Sequence, residues 1–186
     1  RERNFKDGER DSTWTTWYEN GNKKFLASYS DGKLNGKYIR WYEGGIIKEL
    51  DGEYLNNKKH KKWIYWSKNG QKTEEINYDN GVHHGSHIKW FGEKSDQHKK
   101  FHINYKNGDK DGNWRHWYSS GVDSLKATYL NGEKDGHWIW WRKNGLKDKE
   151  GFYKKEKKHG LWTIWNDSTG NAYHKLHEET YVNDAI

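Results

Sequence analysis

A chain of 186 residues is long enough to bury a substantial core, but only 31% of its residues are hydrophobic and 33% are charged, which excludes a core built on Leu and Val. Thirteen Trp and thirteen Tyr carry the apolar content instead, and disordered chains are poor in aromatics, so disorder is excluded as well. There is no Cys for a disulfide framework or a thiol nucleophile, no apolar run reaches the roughly 20 residues of a membrane helix, and the net charge of +7 favours acidic partners.

From the N-terminus onward, Trp17, Trp41, Trp66, Trp90, Trp117, Trp141 and Trp165 recur at spacings of 24, 25, 24, 27, 24 and 24 residues, the period of a repeat array. Three residues before each stands Trp14, Tyr38, Trp63, His87, Trp114, Trp138 or Trp162. Twelve before each stands Phe5, Tyr29, Tyr54, Tyr78, Tyr105, Tyr129 or Tyr153, so seven units begin near residues 5, 29, 54, 78, 105, 129 and 153. They read as a single array over residues 1–186. A partial unit over 173–186, in which Tyr181-Val182-Asn183-Asp184 looks like the start of an eighth repeat, is expected to cap the sheet edge.

Each unit carries two turn signals. Asn20-Gly21, Asn69-Gly70 and Asn144-Gly145 accept positive φ at both central positions and predict tight hairpin turns. A second set, Asp31-Gly32, Asn80-Gly81, Asn107-Gly108 and Asn131-Gly132, sits just after the second strand. About five to eight residues rich in Trp, Tyr, Ile and Thr lie between turns, a strand's length and composition, and no proline interrupts the ladders. Trp-x-x-Trp spacing also fits a helix face, but two turns in 24 residues leave no room for a helix pair. The expected fold is all-β: an elongated, single-layer twisted sheet of about seven stacked hairpins, spanning roughly 65 Å at about 4.8 Å per strand.

Strand parity divides the side chains between two faces. One collects Ile39, Ile64, Ile88 and Ile139 with the period-setting Trp series and reads as the buried side. The other collects Trp14, Tyr38, Trp63, His87, Trp114, Trp138 and Trp162 with Tyr18, Tyr42, Tyr118, Arg40 and Lys89, and aromatics interleaved with cations predict a binding surface. Cross-strand aromatic pairs also stabilise sheets, so these rows have a structural reading too.

The departures from the pattern are local. Asn57 and Lys61 replace both loop glycines of the third unit, Ser12 the second in the first unit, and Glu156 the first in the seventh. In the fourth, His87 replaces Trp, Gly92 follows Phe91, and the link Glu93 to Asn104 is three residues long of the norm, predicting a bulge or a longer loop.

Catalytic and metal signals are thin. His83, His84 and His87 are the tightest histidine group, but His60, His84 and His159 share one repeat position with Asp111 and Asp135, which reads as a polar turn slot. No Gly-x-Ser-x-Gly elbow is present, and the adjacent acids Glu74-Glu75 and Glu178-Glu179 face opposite ways on a strand. Asn166-Asp167-Ser168 matches a glycosylation sequon.

The pattern Asn/Asp-Gly-x-x-x-Gly-x-Trp-x-x-Trp/Tyr-Tyr-x-x-Gly, seen best from Tyr129 to Gly145, resembles the MORN-repeat variant of bacterial proteins, which includes YwqK-type antitoxins. The resemblance runs from about Phe5 to Tyr181 and implies a scaffold without catalytic residues or cofactors. The expected function is a non-enzymatic scaffold that binds a protein partner, antitoxin-like or within an envelope complex. The alternatives are glycan or peptidoglycan binding and adhesion to anionic lipid. Nucleic acid is disfavoured because Lys and Glu alternate through every unit. A first residue of Arg in place of Met leans toward an exported, envelope-associated protein.

Overall fold

The structure, a computed structural model, describes residues 2–92, 98–165 and 174–185. The glycosylation triplet and residues 93–97 of the long fourth-unit link lie outside them. The described chain is all-β and falls into two compact units, Arg1–Gln97 and His98–Ile186.

In the first unit an open antiparallel meander runs β1 (Glu2–Lys6), β2 (Glu9–Trp17), β3 (Lys23–Ser30), β4 (Lys33–Trp41), β5 (Lys48–Leu55), β6 (Lys58–Trp66), β7 (Lys72–Asp79) and β8 (Val82–Trp90), each strand pairing with the next. The second unit repeats the plan with β9 (Lys99–Lys106), β10 (Asp109–Trp117), β11 (Asp123–Leu130), β12 (Glu133–Lys134), β13 (Gly136–Trp141), β14 (Lys147–Lys154), β15 (Lys157–Trp165) and β16 (Lys175–Tyr181). The described residues form sixteen strands where fourteen were expected. One repeat strand divides at Asp135 into β12 and β13, and the partial C-terminal unit contributes β16, paired with β15.

The two turn sets exchange roles relative to the sequence expectation. Two-residue turns with both central residues at positive φ form at Asp31-Gly32, Asn80-Gly81, Asn107-Gly108 and Asn131-Gly132, between the two strands of a hairpin. Successive turns are stitched together: the second turn residue donates its N–H to a carbonyl one repeat back, as in Gly32 N to Arg10 O at 2.9 Å and Gly132 N to Lys110 O at 2.8 Å. Where that residue is not glycine its side chain takes on further work. Asn57 Oδ1 accepts from Leu34 N at 2.7 Å and Glu156 Oε1 from Lys134 N at 2.5 Å.

Asn20-Gly21, Asn69-Gly70 and Asn144-Gly145 instead lie in longer loops, where only the glycine takes positive φ, as Gly21 does at 83°. Gly21 N donates to Tyr18 O at 3.1 Å and Tyr18 N to Asn22 O at 2.8 Å, a type I turn closed by a glycine bulge. The Asn side chain holds this shape from inside, Asn20 Oδ1 accepting from Asn22 N at 3.0 Å, so Asn has no need of the left-handed region.

A third irregularity recurs within the second strand of each hairpin. Between Tyr29↔Leu34 and Ala27↔Tyr38 the β4 strand spends two more residues than β3, and Gly36 at the protrusion has φ 104°. Gly85, Gly112, Gly136 and Gly160 repeat it, and Ser12 and Lys61 hold the same place at φ 59° and 58° without being glycine. This bulge decides where the core lies.

Candidate binding surface

Past four of the bulges the first aromatic of the motif folds back over the neighbouring strand and bonds to a backbone carbonyl there. Trp14 Nε1 donates to Asn4 O, Trp63 Nε1 to Glu53 O, Trp138 Nε1 to Thr128 O and Trp162 Nε1 to Phe152 O, all at 3.0 to 3.1 Å. Beneath the rings the sequence supplies small residues. A Cβ added to Gly52 would stand 2.3 Å from the Trp63 ring, and one added to Gly151 2.2 Å from Trp162. His87, the smaller ring, faces the larger Ile76, and Trp114, which faces Ile103, stays half-buried.

The surface forecast from parity is therefore the core. Trp14, Trp63, Trp138 and Trp162 are buried, and Tyr38, His87 and Trp114 half-buried. Eleven of the thirteen buried hydrophobic residues among those described lie on this face, and only Ile39 and Trp165 on the side expected to be interior. Tyrosines complete the ladder. Tyr54 and Trp63 have ring centroids 5.0 Å apart, Tyr129 and Trp138 5.3 Å, and Tyr153 and Trp162 5.1 Å, all edge-on. Burial raises the phenol pKa of Tyr38, Tyr54, Tyr78, Tyr105 and Tyr129.

The cations over these rings were missed in the sequence. They are Arg10, Lys59, Lys110, Lys134 and Lys158, near the start of the second strand in five of the seven hairpins. Lys59 Nζ lies 4.5 Å from the Trp63 centroid and 5.1 Å from Tyr78, and Lys158 Nζ 4.7 Å from Trp162 and 4.5 Å from Tyr181. Their spacing of four residues before the first aromatic was a legible signal. Arg40 instead pairs with Glu49 at 2.8 Å, and Lys89 approaches Glu74 at 3.8 Å.

The loop tyrosines are anchors too. Tyr18 donates its hydroxyl to Trp41 O at 2.7 Å, Tyr42 to Trp66 O at 2.8 Å and Tyr118 to Trp141 O at 2.8 Å, each tying one repeat to the next. Arg142 does the same job with Nη2 to Trp165 O at 2.6 Å.

In the fourth repeat the ladder turns polar. His83 and His87 share this face with ring centroids 5.7 Å apart, and His87 Nε2 lies 2.8 Å from Glu74 Oε1. That hydrogen bond, against the effect of burial, holds the Glu74 carboxyl below its ordinary range. Burial, with His87 and Lys59 adding to it, lowers His83. The polar turn slot is filled as read in two copies, Asp111 Oδ2 accepting from Asn131 N at 3.1 Å and Asp135 Oδ2 from Lys155 N at 3.3 Å, whereas His60 Nδ1 faces Asp79 Oδ1 at 3.4 Å.

The opposite face is the accessible one. In the second unit it carries Arg115 at 4.9 Å from the Trp117 centroid, Lys126 at 5.1 Å from Trp141 and Lys147 at 5.2 Å from Trp165. Burial pushes the Asp123 carboxyl up, but hydrogen bonds from Arg115 and Lys126 outweigh it and keep the pKa below its usual value. A depression of 380 Å³ opens among Asn113, Arg115, Lys126, Thr128, His137 and Ile139. Beside it Phe152 stacks on His137 at 4.6 Å, and Phe152, Leu161 and Leu176 are 44%, 49% and 65% exposed on one side of the sheet. No family model and no curated protein matches the chain.

Proposed function

We propose that the chain is a non-catalytic scaffold of MORN-like repeats that binds a protein partner through the accessible, charge-decorated face of its second unit. The observation that carries this reading is the exposure of Phe152, Leu161 and Leu176 on one side of the sheet, where Phe152 stacks on His137, which lines the same depression as Arg115 and Lys126. Exposed apolar groups rimmed by charge are the usual make-up of an interaction site, and aromatic and Arg side chains are enriched at the centre of such sites. The rings of the other face are committed to the fold, so binding through them would require taking apart the ladder that holds the sheet. An antitoxin-like role, in which the partner is a toxin, is the specific form suggested by the resemblance to YwqK-type proteins.

The test compares wild type with Phe152→Ser/Leu161→Ser in affinity capture from native extract, with binding then measured on the purified partner. The expected result is one protein retained in stoichiometric amount by the wild type and lost by the variant, whose thermal unfolding stays within a few degrees of wild type. Retention of glycan or anionic lipid without protein would replace this reading. Lipid adhesion would weaken steeply with salt, whereas stacking on a neutral glycan would not.

A further inference from the structure

One loop of the first unit carries the most exposed large apolar side chain among the described residues. Four loops of its kind among the described residues close over three residues, as from Tyr18 to Asn22 and from Tyr118 to Val122, whereas the loop after Tyr42 closes on Ile47 and contains one residue more. The extra residue follows the left-handed Gly45 at φ 74° and is Ile46, which is 90% exposed.

The loop is pinned from both sides. Asn20 Nδ2 and Asn22 Nδ2 both donate to Glu43 O, at 3.0 and 3.1 Å, the Asn22 side chain packs so closely on Gly45 that an added Cβ would stand 2.5 Å from it, and Ile47 lies against Gly70 of the following loop. Ile46 is thus presented on a rigid support, and a preorganised apolar anchor loses little freedom on binding. Next to it is a cavity of 340 Å³ lined by Tyr42, Glu43, Gly44, Ile46, Ile47 and Lys68. Knob and socket sit side by side on one loop. Glu43 and Lys68, of opposite charge on the socket wall, are both exposed and neither is in an ion pair among the described residues, unlike Arg40 with Glu49 or Lys61 with Glu53.

We propose that this loop is a self-association site, in which Ile46 of one copy enters the Tyr42–Ile47 socket of a second copy about a two-fold axis. In such a contact Glu43 of each copy meets Lys68 of the other. A two-fold contact requires one patch to be complementary to itself, and adjacent knob and socket with paired opposite charges meet that requirement in shape and in sign. A contact confined to one loop falls in the small, transient class of interfaces, so the dimer is weak, with a dissociation constant on the order of 0.1 to 1 mM.

The experiment is sedimentation equilibrium of the purified chain from about 10 µM to 1 mM, a range set by that affinity class. Wild type is expected to shift from monomer to dimer. Ile46→Ser should weaken association about 10-fold, the effect of losing an interface anchor. Glu43→Lys alone and Lys68→Glu alone should each stay monomeric through like-charge repulsion, while an equimolar mixture of the two regains the dimer, because every facing pair is then again opposite in sign. A chain monomeric throughout, association untouched by Ile46→Ser, or failure of the mixture to recover would each overturn the proposal. These residues are at a loop surface, so circular dichroism of the variants is expected to match wild type.

Discussion

Replacing Gly52 with Ala places a single methyl group where the structure has none to spare. The new Cβ would stand 2.3 Å from Trp63 Cδ2 and 2.5 Å from Cε2, and ordinary contact begins near 3.4 Å, so ring and strand must part by about 1 Å. Trp63 has little room to retreat. It is 1% exposed, its centroid lies 5.0 Å from Tyr54 and 5.8 Å from Tyr38, and Lys59 Nζ is 4.5 Å above the ring. Overpacking of this kind costs about 1–3 kcal/mol. Moving the ring also stretches the 3.0 Å bond from Nε1 to Glu53 O, worth about 1 kcal/mol. The expected loss is therefore about 3 kcal/mol, read by urea denaturation followed through tryptophan fluorescence. Gly44→Ala is the control, because its φ is not in the left-handed region and nothing stands within 4 Å of its Cβ, so it should change stability by less than about 0.5 kcal/mol. Adding Trp63→His to Gly52→Ala should recover part of the loss, since the native His87 over Ile76 shows that a smaller ring accommodates a larger residue beneath it. A Gly52→Ala chain as stable as the control would refute the account of the core given above.

Two further outcomes are expected. Lys61→Gly should raise stability by about 0.5 kcal/mol in the same urea assay, because it relieves a non-glycine residue at φ 58° while giving up only an exposed ion pair with Glu53, and a loss would contradict the strain argument. His83, His102 and His116 have pKa values lowered by burial from the ordinary 6.5, so the unfolded chain binds more protons than the folded one once pH falls below 6.5. The stability linked to them is complete above 6.5 and is lost as pH drops through their folded values. Thermal unfolding temperature should therefore fall between pH 7 and pH 5, and His102→Gln/His116→Gln should flatten that fall; an unchanged slope in the double variant would count against it.

Much of the fold was legible because it is local. A 24-residue period, strand-length aromatic runs and paired turn signals specify hairpins, and the absence of proline leaves the ladders whole. The turn type is not legible in the dipeptide, because Asn-Gly suits two conformations. In Asn20-Gly21 the Asn side chain bonds to Asn22 N and stays out of the left-handed region, whereas Asn80 and Gly81 both occupy it. Strand length around the turn settles which form is used, and the dipeptide alone does not carry that information.

The residue pattern by itself determined that the chain is a β-repeat, that its side chains divide between two faces, and which aromatics share each face. Which face is the interior was decided only by tertiary structure. Parity treats the two sides as equivalent, and the bulges at Gly36, Gly85, Gly112, Gly136 and Gly160 break that equivalence by letting the next ring lie back across the neighbouring strand. Past Lys61, Gly136 and Gly160 the ring then satisfies a carbonyl, covers a glycine or alanine and receives a lysine from the same hairpin. Those three interactions come from residues up to 11 positions apart in the chain, as Gly52, Lys59 and Trp63 show, and they meet only once the strands are paired. The exposure of Ile46 is of the same kind: its one-residue insertion is visible in the sequence, but its rigidity depends on Asn20, Asn22 and Gly70 in the loops on either side.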